Sequence, residues 1–131
     1  MLSNEQLVQM AIDAADCAYV PYSKFRVGAA LECSDGTVFT GCNVENASYG
    51  ATICAERTAM VKAVSEGHKD FVRLAVVCAD SEDFGTPCGI CRQFMVEFNY
   101  DLELLIGKAN GEYKVVPLRR LLPEAFTPDS L

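Results

Sequence analysis

Between Asn4 and Tyr19, apolar residues fall at Leu7, Val8, Ile12, Ala15 and Ala18, close to the spacing of one helical face. Ser3 is placed to cap that helix and Pro21 to end it. Arg26 to Cys33 and Thr37 to Cys42 then read as two strands, with Ser34-Asp35-Gly36 as the hairpin turn between them. Asn43 to Gly50 is polar and is expected to be a loop. Helical spacing returns from Ile53 to Glu66, and Gly67 closes the helix. Val72 to Cys78 is a continuous apolar run, the pattern of a strand buried on both faces. Ser81 to Pro87 reads as a loop and Gly89 to Phe98 as a helix. Two last strands, Leu102 to Ile106 and Tyr113 to Val116, are joined around Asn110-Gly111.

That final junction constrains the topology. A parallel pair needs a crossover of about a dozen residues or more, whereas only residues 107–112 lie between these strands. The pair is therefore expected to be antiparallel. One helix followed by strand-strand-helix-strand-helix-strand-strand predicts a three-layer α/β/α fold with a mixed five-stranded sheet. At 131 residues, with no repeat, low-complexity tract or linker, residues 1–131 are expected to form one domain.

Composition narrows the partners. Hydrophobic residues make up 50% of the chain, enough to fill a core. Mean hydropathy is slightly positive, which hints at apolar surface buried between subunits. The net charge of −7 argues against holding a phosphate backbone, because that work needs clustered Lys and Arg. No uncharged apolar run approaches the ~20 residues of a membrane span. The N-terminal stretch has no positive start followed by an apolar block, so a cytoplasmic protein is expected.

Cysteine usage points to chemistry. The chain has seven cysteines and a single histidine, His68. An odd count without a secretion signal argues against a disulfide framework. Cys54 falls at the start of one predicted helix, and Cys88 and Cys91 fall at the start of the next, within Pro87-Cys88-Gly89-Ile90-Cys91. Thiolates at helix N-termini are favoured by the helix dipole and suit zinc. Three protein ligands would leave a fourth position open, and Glu56 lies two residues past Cys54 for proton transfer. Residues i and i+2 lie about 200° apart on a regular helix, so Cys54 and Glu56 share a site only if Cys54 stands at the very first position. Ala51-Thr52-Ile53 carries no strong cap signal. Taken alone, the Cys-x-x-Cys pair fits a redox pair, a structural zinc site or a catalytic one. The redox reading leaves Cys54 and Glu56 unexplained. Cys17, Cys33, Cys42 and Cys78 read as core residues and His68 as a solvated loop residue.

Several segments, in order, resemble the cytidine deaminase family in its small three-cysteine zinc form. They are Tyr22 to Ala30, Gly41 to Gly50, Cys54-Ala55-Glu56-Arg57, Pro87 to Gln93 and Leu122 to Phe126. The resemblance implies one zinc per chain on Cys54, Cys88 and Cys91, hydrolysis at C4 of cytidine or deoxycytidine, and Glu56 carrying protons to N3 and the leaving amine. It also implies that Asn43 and Glu45 bind the ribose 3′-hydroxyl, that Phe25 and Ala55 line the base site, and that Ala47 and Tyr49 lie near the 5′-end. Phe126 would come from another subunit of a homotetramer. Without the resemblance, Asn43 reads as a turn residue, Glu45 as solvated, and Phe25 and Phe126 as core.

Two arginines follow from charge. Three thiolates and Zn²⁺ sum to −1, a less positive metal than one with a histidine ligand. Arg57, three residues after Cys54, and Arg92, four after Cys88, are placed to donate hydrogen bonds to the sulfurs. A relative acting on a nucleotide, another aminopyrimidine or a base in nucleic acid is one alternative, and a zinc-stabilised interaction domain is another. Asn43, Glu45 and the acidic charge oppose nucleic acid. Glu56 opposes a purely structural zinc.

Overall fold

The computed structural model describes residues 2–131. Helix α1 (Asn4–Ala14) starts in a capping box in which Ser3 and Gln6 satisfy each other's backbone N–H. Strands β1 (Val27–Cys33) and β2 (Val38–Cys42) form the predicted hairpin. Helix α2 (Ala55–Ser65), strand β3 (Phe71–Cys78) and helix α3 (Gly89–Val96) follow. Strands β4 (Glu103–Lys108) and β5 (Tyr113–Pro117) complete the sheet, and a short helix α4 (Leu118–Leu121), which the pattern did not predict, follows them.

The sheet order is β2-β1-β3-β4-β5, with β3–β4 the one parallel pair among the described residues. β4 and β5 are antiparallel, as their short connection requires. α1 covers one face through Leu7, Val8 and Ala11 against Ala30, Ala75, Val77 and Leu105. α2 and α3 cover the other through Ala59, Met60, Met95 and Val96 against Leu31, Leu74, Leu104 and Ile106.

Two glycines set how closely the helices approach. A Cβ on Gly28 would lie 1.9 Å from the Ala11 carbonyl oxygen of α1. One on Gly41 would lie 2.5 Å from the Ala55 oxygen and 2.6 Å from the Ala59 nitrogen of α2. The first turn of α2 thus rests on bare β2 backbone, which fixes the depth of Cys54 and Glu56.

The first helix ends earlier than its apolar pattern predicts. The α-helix stops at Ala14, tightens into a 3₁₀ turn through Cys17, and turns extended at Ala18. Tyr19 N–H donates to the Asn43 oxygen at 3.0 Å, and Glu45 N–H donates to the Tyr19 oxygen at 2.9 Å. This bridge to the Asn43–Gly50 loop takes the backbone groups that a longer helix would have used.

Candidate active site

Two helices start side by side, each at a cysteine. Cys54 is the N-cap of α2, with extended backbone at φ −71° and ψ 155°. Cys88 is the N-cap of α3, at φ −71° and ψ 167°. Neither thiol caps its own helix, so both sulfurs are free for another partner. The extended backbone takes the Cys54 side chain off the helical period, and Cys54 and Glu56 line the same cavity. The geometric difficulty posed by their i, i+2 spacing is removed at that one residue.

Cys91, fully buried on the first turn of α3, completes the cluster. The sulfurs of Cys54 and Cys88 are 3.7 Å apart and those of Cys88 and Cys91 3.5 Å, and all three lie within 4.8 Å of one another. A tetrahedral site with Zn–S bonds of about 2.3 Å separates its sulfurs by about 3.8 Å. Donor type and spacing therefore fit one zinc per chain. His68 is not near this cluster and is not the solvated residue expected. Its Nε2 pairs with Asp35 at 3.1 Å and its ring meets Phe39 edge-on, because Gly67 turns the chain back onto the β1–β2 hairpin.

The cavity beside the sulfurs has a volume of about 280 Å³. Val27, Val76 and Ala55 supply apolar walls, with Phe25 at the rim, 39% exposed. Phe25 is thus not a core residue. Arg26 holds this rim to the β3–α3 loop, donating from Nε and Nη2 to the two Asp80 oxygens at 3.0 and 2.8 Å. Larger hollows elsewhere, such as one of about 570 Å³ on the outer face of α3, contain no cysteine cluster.

The far end of the cavity is polar and already ordered. Asn43 accepts from Val27 N–H at 2.9 Å and donates to the Phe25 oxygen at 2.8 Å, which fixes its amide and leaves one N–H unused. Glu45 accepts the backbone N–H groups of Tyr22 and Ser23, both at 3.1 Å, and the Ser23 hydroxyl. The Ser23 hydroxyl, with these N–H groups, holds the Glu45 carboxyl below the usual range. Ionised, with one lone pair still free, Glu45 lines the same cavity as Asn43 and its unused N–H. That pair matches a single hydroxyl. Val44 forms isolated bridges with Tyr19 and Ile53, so the loop returns to Cys54.

Other expected positions separate from this centre. Ala47 is exposed and does not line the cavity. Tyr49, 75% exposed, lines an adjoining hollow of about 420 Å³ with Tyr22 and Glu45. Phe126, expected as core by its residue type, is 60% exposed and lies outside its own chain's cavity. Arg92 donates to the backbone oxygens of Pro87, at 2.8 Å, and Leu121, at 2.9 Å, and not to the sulfurs. Those carbonyls lack helical partners and capture the guanidinium first. Sequence reasoning missed Ser23, Thr52 and Thr86 in the lining. It also took Cys78 as core, although its half-buried thiol faces the cavity, and Cys17 as core, although it is exposed. No local signal marks any of them.

Burial pushes the Glu56 carboxyl up to about 7, with the Cys54 thiolate adding to the rise. A carboxyl near neutrality both takes and gives protons; a cation on the sulfurs opposes the rise. The Cys54 thiol is drawn down by a hydrogen bond from Cys91, against its own burial, with further hydrogen bonds from Arg57 and Cys88. Cys91, sharing its proton with Cys54 and buried, is pushed up. Arg57 Nη2 lies 3.6 Å from the Cys54 sulfur. Withdrawing charge from a thiolate makes a metal on it more positive. Replacing Arg57 with Gln should leave zinc content unchanged and lower kcat by about 10–100-fold. Unchanged kcat with normal zinc would reduce Arg57 to a packing role.

Comparison with known proteins agrees with this centre. Residues 1–105 match the family described as the cytidine and deoxycytidylate deaminase zinc-binding region. A cytidine deaminase of Halalkalibacterium halodurans is 48% identical over 131 residues, covering 99% of this chain and 98% of the relative. A probable cytidine deaminase of Dictyostelium discoideum is 48% identical over 98% of this chain and 89% of its own. The crystal structure of a cytidine deaminase from Burkholderia pseudomallei superposes with a TM-score of 0.91 at 44% identity, covering 95% of this chain and all of the other.

Proposed function

Because the chain belongs to the cytidine and deoxycytidylate deaminase family, we propose that it hydrolyses cytidine and 2′-deoxycytidine to uridine and 2′-deoxyuridine with release of ammonia, in pyrimidine salvage. The observation that carries this reading is the buried carboxylic acid of Glu56, lining one cavity with Cys54 and Cys88. A structural zinc site has no use for such a group. Cys54, Cys88 and Cys91 would hold the zinc, which would supply Lewis acidity and a water activated near neutral pH.

The chain's own residues do the rest. Glu56 takes one proton from the attacking water and delivers it to N3, then takes the second from the new C4 hydroxyl and gives it to the leaving amine as the C4 carbonyl forms. Asn43 donates to the ribose 3′-hydroxyl and Glu45 accepts from it. The Glu45 charge disfavours a phosphorylated sugar, so the substrate is a free nucleoside. Phe25 and Ala55 border the pyrimidine, Ala47 and Tyr49 stand toward the 5′-end, and Arg57 draws charge from the sulfurs. Arg92 acts by bracing the backbone ahead of Cys88. Purified protein should lose the cytidine ultraviolet band with cytidine and deoxycytidine, and not turn over cytidine monophosphate or adenosine. Turnover of the monophosphate in preference to cytidine would overturn the Glu45 assignment.

The catalytic unit on this reading is the whole chain as one domain, assembled as a homotetramer in the cytoplasm. Thiolate ligands suit a reducing compartment. Support for assembly comes from exposed apolar side chains, among them Ile90 at 65% and Phe126 at 60%. Phe126 reaches the base site of a neighbouring subunit. Deleting Ala125 to Leu131 should then raise KM or abolish activity. A fully active monomer in sedimentation would sink this assembly.

A further inference from the structure

The segment that carries Phe126 is held in place by a side chain the site itself does not contain. Tyr100 lies just after α3, its ring half-buried against the core cluster. The Arg119 guanidinium sits 4.0 Å over the ring, itself paired with Asp101 at 2.9 Å. Tyr100 Oη donates to the Leu122 oxygen at 2.5 Å and accepts from Ala125 N–H at 3.3 Å. The hydroxyl thus stands inside the bend of residues 122–125, where a turn's own hydrogen bond would run.

That bend needs holding. Glu124 lies at φ +52°, the left-handed region that a non-glycine residue enters at a cost. On either side the backbone is tied to α3. Arg92 holds the Leu121 oxygen at 2.9 Å, and Gln93 Nε2 donates to the Phe126 oxygen at 2.8 Å. The Phe126 ring projects from these ties into solvent.

We propose that Tyr100 is a positioning residue for Phe126: its hydroxyl brackets Leu122 and Ala125, and so fixes the direction in which Phe126 leaves its own subunit toward a neighbour's substrate. This rests on the reading of Phe126 as a substrate contact in trans. An aromatic wall contributes to binding only if it is already in place, because an arm that samples many directions must be ordered when substrate binds. Tyr100 therefore acts on KM through Phe126, while Glu56 and the sulfurs are untouched.

The test compares wild type, Tyr100→Phe, Phe126→Ala and the double variant. Phenylalanine keeps the ring packing and removes only the bracket. Tyr100→Phe should raise KM for cytidine about 2- to 10-fold, the range for loss of a hydrogen-bonded tether, with kcat and zinc content little changed. In the Phe126→Ala background the same change should have no further effect on KM. Hydrogen exchange of the Ala125 amide should accelerate in Tyr100→Phe. Slow exchange at Ala125 in that variant, or an unchanged KM where Phe126→Ala raises it, overturns the bracket. An unchanged KM in Phe126→Ala overturns instead the reading on which it rests, and with it any role for Tyr100 in binding.

Discussion

Glu56→Gln is expected to give a folded, zinc-loaded protein that binds cytidine and scarcely turns it over. Glutamine keeps the shape of Glu56 within its almost closed site, where the native residue is only 3% exposed. It still hydrogen-bonds the pyrimidine ring. It cannot accept the proton of the attacking water or carry it to N3. One general acid–base group contributes about 10²–10⁴-fold. A group that serves several transfers in sequence should lie at or above the top of that range. Binding should persist, since Asn43 and Glu45 are organised by Val27, Phe25, Tyr22 and Ser23 and not by Glu56. Steady-state turnover, zinc content and direct titration with cytidine separate the outcomes. Near-normal kcat would remove Glu56 from proton transfer. Zinc loss with intact folding would make it a ligand.

The second large effect is expected at the sulfurs. Cys91→Ser keeps the size of a fully buried side chain but replaces a soft thiolate with a hydroxyl that stays protonated near neutral pH. Zinc content should fall well below one per chain, and activity should fall by at least about 10³-fold, since the metal supplies several kcal/mol of catalysis. His68→Ala should keep full zinc, because His68 is engaged with Asp35 and Phe39 away from the cluster. Zinc uptake by the wild-type apoprotein should release protons. The Cys91 thiol is pushed up without the metal, so it arrives protonated and must ionise to bind. Affinity therefore weakens as pH falls, because protons compete for the thiolates. A zinc titration in weak buffer at neutral pH, followed by a pH indicator, reads at least one proton per chain. Full zinc in Cys91→Ser, or uptake with no proton release, would remove Cys91 from the ligand set.

Cys54, Cys88, Cys91 and Glu56 stand out in the chain because two helix starts each carry thiols, with an acid beside one of them. Their meeting at 3.5–3.7 Å between neighbouring sulfurs is a property of the fold. It depends on bare β2 backbone at Gly41, which lets the first turn of α2 sit down on the sheet, and on the cap conformation of Cys54. Neither has a signal within its own few residues.

By itself the sequence determined the types of the elements from α1 to β5, the hairpin, the antiparallel last pair and the candidate residues for the chemistry. Period, cap and loop length are local properties, legible over a few residues. Only the tertiary structure decided where α1 stops, since the bridge from Tyr19 to Asn43 and Glu45 spans more than twenty residues of chain. It alone sent Arg92 to backbone carbonyls, left Phe25 and Phe126 exposed, and turned Cys78 toward the cavity. Each of these depends on which distant group arrives first to take a donor, an acceptor or a face, and that competition is settled by packing across the whole chain.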